Sequence, residues 1–271
     1  MVRSLVGRGR VGKWIQIFLA EFTGTACLMY FGCMGLFADL SGFAKLAPLQ
    51  GGISFGFTVS SLVASIGHIS KAHLNPCVTL CAYLLGMISP ITALIYFIAE
   101  VLGCCTGFWL LKVCSPQEVF WQYASSHGGL CNTLLHDNLV WWQGFLIEFF
   151  STSLLIYLVC SAWDPRNAKL NDSIAIKFGL VVTVLSIVGG PFTGASLNPT
   201  RSFAPALVNG RWRDHWLYWI APLSGSAATT LFYKYCLLDE DPPGEDMGEA
   251  SMQLTSGDER VPVTQRSQNQ V

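Results

Sequence analysis

The sequence predicts an all-α membrane protein with six transmembrane helices and two half-helices arranged as an inverted repeat. Three observations carry this. Of 271 residues, 52% are hydrophobic and only 12% charged, against about a quarter charged in a soluble domain. A short frame occurs twice, as Ala72-His73-Leu74-Asn75-Pro76 and Ala195-Ser196-Leu197-Asn198-Pro199. A second pair of markers, Glu21 and Glu148, lies 127 residues apart, close to the 123 separating Asn75 from Asn198. Two markers at nearly one offset indicate a duplicated unit.

The six spans fall at roughly 14–37, 51–69, 90–113, 141–162, 173–190 and 215–237, each near the length of about twenty residues that crosses a bilayer. Two shorter apolar stretches, about 76–86 and 199–208, follow the Asn-Pro pairs and are too short to cross. Pro suits the first turn of a helix, and backbone freed at membrane depth must face a cavity. Each Asn-Pro therefore predicts a half-helix starting in mid-membrane. The repeats cover about 14–113 and 141–237 within one channel domain, 14–237. With three spans apiece, they enter the membrane with opposite orientation and meet at a shared midplane site.

Residues 1–13 form a short N-terminal segment carrying Arg3, Arg8, Arg10 and Lys13. The positive-inside tendency places it in the cytoplasm, and six spans return the C-terminus to the same side. Arg166 and Lys169 in the 163–172 connection agree, whereas Arg211 and Arg213 count against the rule. The first apolar run is too long for a cleavable signal peptide. Residues 238–271 read as a disordered acidic cytoplasmic tail, since 239–259 hold eight acidic and no basic residues. A formal net charge of −1 and the absence of a basic cluster argue against nucleic acid as a partner.

Ten cysteines invite a metal or disulfide reading, but no C-x-x-C pair occurs and most lie within spans. Cys27, Cys33, Cys77, Cys81, Cys104, Cys105, Cys160 and Cys236 read as buried thiols. Cys114 and Cys131 near one loop are within reach of a bridge. No metal site, cofactor or catalytic residue is expected. Gly52/Gly56 and Gly103/Gly107 have the spacing that lets helices cross closely.

The repeated frames, Glu-Phe-x-x-Thr in spans one and four, Gly67-His68-Ile69-Ser70, and Asn198-Pro199-Thr200-Arg201-Ser202-Phe203 together resemble the aquaporin (major intrinsic protein) family over about residues 14–237. The resemblance implies one pore per subunit, a homotetramer in a lipid bilayer, most simply the plasma membrane, and passive flow of water. In that scheme Asn75 and Asn198 donate to one permeating oxygen, with Pro76, Cys77, Pro199 and Thr200 completing the pore motifs. Glu21 and Glu148 would brace the loops. Arg201 would line a filter with Phe55, Ala195 six residues before it and Ser186 fifteen before it. Water-selective members carry His at the Ser186 position, and this chain has no histidine between His136 and His215.

Losing an imidazole widens a constriction, so glycerol and urea join water as implied solutes. Ser202, Ala206 and Tyr218-Trp219 are filled in the water-channel manner. A water-channel scaffold with a widened filter resembles the insect entomoglyceroporin group. Two alternatives stay open: a strictly water-selective channel and a coupled secondary transporter. Cys77 and Thr200 stand where the family usually has Ala. Cys77 either packs behind its Asn or reaches the lumen, where it would confer thiol sensitivity. Glu100, in span three, has no account at this level.

Overall fold

The computed structural model describes residues 9–37, 47–126 and 128–238. The acidic tail expected over 238–271 and the basic residues before position 9 fall outside them, apart from Leu238.

The full-length helices are α1 (Arg10–Met34), α2 (Ala47–Ser70), α4 (Pro90–Cys114), α6 (Trp141–Trp163), α7 (Ile174–Thr193) and α9 (Leu217–Phe232). Among the described residues, five helices have the length and apolarity to cross a membrane. The sixth, α9, has 16 residues and gains five more by loosening into a π-helical turn at Tyr233–Leu237. Between the full helices lie α3 (Pro76–Leu84) and α8 (Pro199–Asn209), of 9 and 11 residues. At about 1.5 Å per residue each covers about half of a 30 Å hydrocarbon core. Both start on Pro at N1 behind an Asn cap, as their sequences predict.

A ninth helix, α5 (Gln117–Ser126), was not anticipated; the sequence reading has only loop there. It is short and half of its residues are polar, and it docks through Phe120, whose ring lies 6.1 Å from that of Phe108 on α4. The Lys112 ammonium sits 4.6 Å from the Trp121 ring, a cation–π contact across the α4–α5 bend.

Packing follows the duplication. Helix α1 lies along α4 and α6 along α9, while α2 joins the repeats by packing on α7. The half-helices cross over: α3 rests on α9, and α8 on α4. Glycine permits these approaches. A Cβ at Gly107 would strike the Ala26 carbonyl of α1, and one at Gly56 would strike Thr183 and the Gly179 carbonyl of α7. Facing outward, Ile176, Leu180, Val184 and Val188 recur every fourth residue of α7 and are all more than half exposed. Such a stripe suits lipid rather than water.

At the end of α6, buried Asp164 accepts hydrogen bonds from Arg166 Nη2 (2.6 Å) and Tyr233 Oη (2.9 Å). Arg166 Nη2 also donates to the Leu237 carbonyl at 2.7 Å, tying the end of α6 to the end of α9. The Arg166 guanidinium holds the Asp164 carboxyl down at about 2. Lys234 Nζ donates to the Leu84 carbonyl at 2.8 Å, a cation at the C-terminus of α3 where the helix dipole favours it.

Candidate functional site

Each frame reaches its half-helix through an unusual backbone. Lys71, Ala72 and Leu74 have φ of 68°, 51° and 57°, and Gly194, Ala195 and Leu197 have 83°, 47° and 56°. Left-handed non-glycine residues cost about 1–2 kcal/mol each, so the surroundings must hold them. A buried carboxylate does so in each repeat. Glu21 Oε1 accepts from His73 N (2.9 Å) and Oε2 from Leu74 N (2.8 Å). Glu148 Oε1 accepts from Ser196 N (2.8 Å) and Oε2 from Leu197 N (2.9 Å).

The asparagines then lock the frames to each other. Asn75 Oδ1 accepts from Cys77 N (2.9 Å), and its Nδ2 donates to the Leu197 carbonyl (2.8 Å). Asn198 Oδ1 accepts from Thr200 N (3.0 Å) and Arg201 N (3.2 Å), and its Nδ2 donates to the Leu74 carbonyl (2.8 Å). Each amide thus caps its own half-helix and bonds the opposite frame. The N-termini of α3 and α8 meet here, and two positive helix ends converge.

Around this centre the supports come in matched pairs. Tyr96 Oη donates to the Ser70 carbonyl (2.6 Å), as Tyr218 Oη does to that of Thr193 (3.0 Å). Ser226 Oγ donates to the Cys77 carbonyl (2.7 Å), while Cys104 Sγ lies 3.3 Å from Thr200 Oγ1 as its donor. One pair differs in kind. His73 Nδ1 lies 2.9 Å from Thr79 Oγ1, which donates to Glu100 Oε1 at 2.7 Å. On the other side Ser196 Oγ meets Ser202 Oγ (2.6 Å), and Thr133 Oγ1 donates to Ser202 (2.8 Å). Glu100 therefore ends a buried chain that orients His73, which the sequence alone did not reveal.

A cavity of about 420 Å³ runs from Gly51 and Cys131 at one end to Lys71 and Trp163 at the other. Six residues singled out from sequence line it together: Asn75, Asn198, Phe55, Ser186, Ala195 and Arg201. Pro76, Cys77, Pro199, Thr200, Glu21 and Glu148 lie outside its lining and are buried. Cys77 is fully buried, so of its two readings the structure has it packing behind Asn75. Thr200 Oγ1 turns to Asn198 Oδ1 at 2.8 Å.

Arg201 is buried, yet it faces the cavity. Its Nη1 donates to the Cys131 carbonyl at 2.6 Å, and its guanidinium lies 5.0 Å from the Phe55 ring centre. Cys131 corrects the cysteine reading twice. It is bridged to Cys33, 98 residues away at the end of α1, so Cys33 is not a thiol. Cys114, the partner considered from sequence, is free and exposed, and Cys236, read from sequence as a buried thiol, is exposed as well. Nothing in the spacing signals this pair, because Cys33 sits in an apolar run like the other buried cysteines.

Comparison with known proteins agrees with this architecture. The family described as Major intrinsic protein matches residues 10–233. Aquaporin-2 of Rattus norvegicus is 35% identical over 219 residues, covering 81% of this chain and 78% of the relative. Aquaporin-4 of Mus musculus is 32% identical over 231 residues, covering 83% and 69%. The crystal structure of the aquaglyceroporin from Plasmodium falciparum superposes with a TM-score of 0.72 at 20% identity, covering 82% of this chain and 96% of that one, a likeness of fold. On the extent of the family match and of these relatives, the chain belongs to the major intrinsic protein family of membrane channels.

Proposed function

We propose that this member of a family of channels for water or small solutes passes water, glycerol and small neutral molecules such as urea, while excluding protons and ions. The observation that carries the wider substrate range is the filter lining. Ser186 and Ala195 stand on the cavity wall together with Phe55 and Arg201, and neither is bulky. A hydroxymethyl and a methyl group leave more room than an imidazole would, and aperture and lining donors set what a pore admits.

The asparagines supply orientation. A side-chain amide carries two N–H donors. In Asn75 and Asn198 one Nδ2 bond goes to the opposite frame, leaving donor capacity facing the cavity. A water or alcohol oxygen between them accepts from both sides, so its own hydrogens point away along the pore. A proton relay through that molecule is broken. Cations meet two helix N-termini and the fixed charge of Arg201. Glu21 and Glu148 act as braces in this scheme, holding the frames through backbone N–H groups.

A coupled transporter would need a titratable group free to change partners at the midplane. Glu21, Glu148 and Glu100 each accept hydrogen bonds from the frames or from α3, which favours the channel. The assembly is proposed as a homotetramer in the plasma membrane with both termini cytoplasmic and 14–237 as the channel domain. The loop carrying Cys131 then faces outside, where disulfides persist.

Light scattering from proteoliposomes tests the reading. An osmotic water step and isosmotic glycerol and urea gradients should each relax faster than in empty vesicles, with no accompanying proton or sodium current. Relaxation for water alone would favour the strictly water-selective alternative, to which the Arg201–Phe55 stacking lends support. Flux that needs a proton or sodium gradient would overturn the channel.

A further inference from the structure

We propose that the Cys33–Cys131 disulfide is a positioning element of the pore: it fixes the carbonyl that holds Arg201, and its reduction changes which solutes pass. The inference rests on the reading of Arg201 as a filter residue.

Residues 128–136 form a strap across the mouth of the cavity. Hydrogen bonds fasten it to α7 and α8. Asn209 Nδ2 donates to Leu130 O and Asn132 Oδ1, both at 3.1 Å, and His136 N donates to Phe192 O at 2.9 Å. The covalent link comes from the other repeat, through Cys33 in the last turn of α1. The bridge therefore spans from the repeat that carries Phe55 to the strap that holds Arg201.

The backbone at the bridge matters most. Cys131 has φ of 63°, a left-handed conformation that a non-glycine residue keeps only when its surroundings impose it. In that conformation its carbonyl accepts from Arg201 Nη1 at 2.6 Å. Bridged and buried, Cys131 cannot relax. Once released, it returns to an ordinary conformation and the carbonyl turns away. Arg201 then lacks its acceptor, and a buried guanidinium must find another. The nearest polar space is the cavity itself, so the guanidinium swings inward and narrows the aperture. Water still passes, while glycerol is obstructed.

Cys131 lines the cavity, which gives a small dithiol its route to the bridge. The dithiol's thiolate attacks, the S–S bond breaks, and its second thiol closes the reductant's own ring. Two electrons and two protons pass to the protein, which ends with free Cys33 and Cys131 thiols. Reoxidation restores the bridge.

The test uses full-length protein in liposomes, with dithiothreitol as the reductant and peptide mapping to follow the bridge. A charge-assisted hydrogen bond biases a side chain by on the order of tenfold in population, so the glycerol-to-water permeability ratio should fall about tenfold on reduction. It should recover on reoxidation. Cys33→Ser should show the low ratio from the start and not respond to dithiothreitol. If the bridge only stabilises the fold, its reduction would lower thermal stability and leave the ratio unchanged, and that result overturns the proposal.

If the untreated protein passes no glycerol, the wider-solute reading fails on its own. The inference is then judged by the ¹⁵N signal of the Arg201 guanidinium and by amide exchange over 128–136. Both should change when mapping shows the bridge cleaved. An unchanged Arg201 signal with a cleaved bridge contradicts the inference, as does untreated protein in which Cys33 and Cys131 are unbridged.

Discussion

Replacing Glu148 tests how the frames are held. Its Oε1 accepts from Thr193 Oγ1 (2.6 Å) and Ser196 N (2.8 Å), and its Oε2 from Leu197 N (2.9 Å). Glu148→Ala leaves the Ser196 and Leu197 amides without an acceptor, while Thr193 Oγ1 keeps only its longer contact to the Gly189 carbonyl at 3.4 Å. At about 1–3 kcal/mol for each orphaned amide, the loss is about 2–6 kcal/mol. Relief from burying a carboxylate offsets part of that, so about 3 kcal/mol is the expected value. Glu148→Gln keeps one oxygen and sets an NH₂ group against one donor, for about 1–3 kcal/mol. Thermal unfolding of detergent-solubilised protein should therefore rank parent above Gln above Ala. Water permeability per folded molecule should follow the same order, because the Leu197 carbonyl that Asn75 bonds is placed by this carboxylate. An alanine variant with parental melting temperature and parental water flux would refute the bracing role.

Three other expectations follow from local geometry. Mass mapping after maleimide labelling of the folded protein should find Cys114 and Cys236 modified and Cys77 untouched, since the first two are exposed and Cys77 is buried; label on Cys77 would contradict its packing behind Asn75. Gly107→Leu should cost at least the 1–3 kcal/mol typical of overpacking, about the same in detergent as in lipid, because its Cβ meets the Ala26 backbone of α1; an unchanged melting temperature would mean that α1 and α4 are not in contact there. Asp164→Asn should lower stability at neutral pH. The parent's carboxyl is depressed to about 2 by Arg166, so its contribution is full above the unfolded value of about 3.9 and vanishes as pH falls through about 2. Parent and variant should therefore converge on acidification; a gap independent of pH would contradict the ion pair.

Much of the pore was legible because the chemistry recurs. One Asn-Pro pair is an ordinary turn, but two in matched apolar frames, with Glu21 and Glu148 at the same offset, leave few structures that satisfy both. The positions proposed as the filter came from the family resemblance, Ala195 and Ser186 by counting back from Arg201 and Phe55 as the span-two aromatic, and all four line one cavity. What stayed hidden depends on three-dimensional neighbours. Glu100 gains its partner Thr79 from another helix. Cys33 and Cys131 pair only because α1 ends beside the strap, and pairing requires a Cα separation that spacing does not encode. Helix α5 escaped notice because its ten residues, half of them polar, make too short a run to tell from a loop. The backbone strain of the frames was invisible too, since Ala72, Leu74, Ala195 and Leu197 are not residue types that announce positive φ.

The central claim, that the small side chains of Ser186 and Ala195 leave a filter wide enough to admit more than water, is tested most directly by Ser186→His in proteoliposomes. Both proteins should be measured side by side with an osmotic water step and an isosmotic glycerol gradient. The account predicts that the variant keeps water flux near that of the parent and loses most of its glycerol flux. Equal glycerol flux in variant and parent would contradict it.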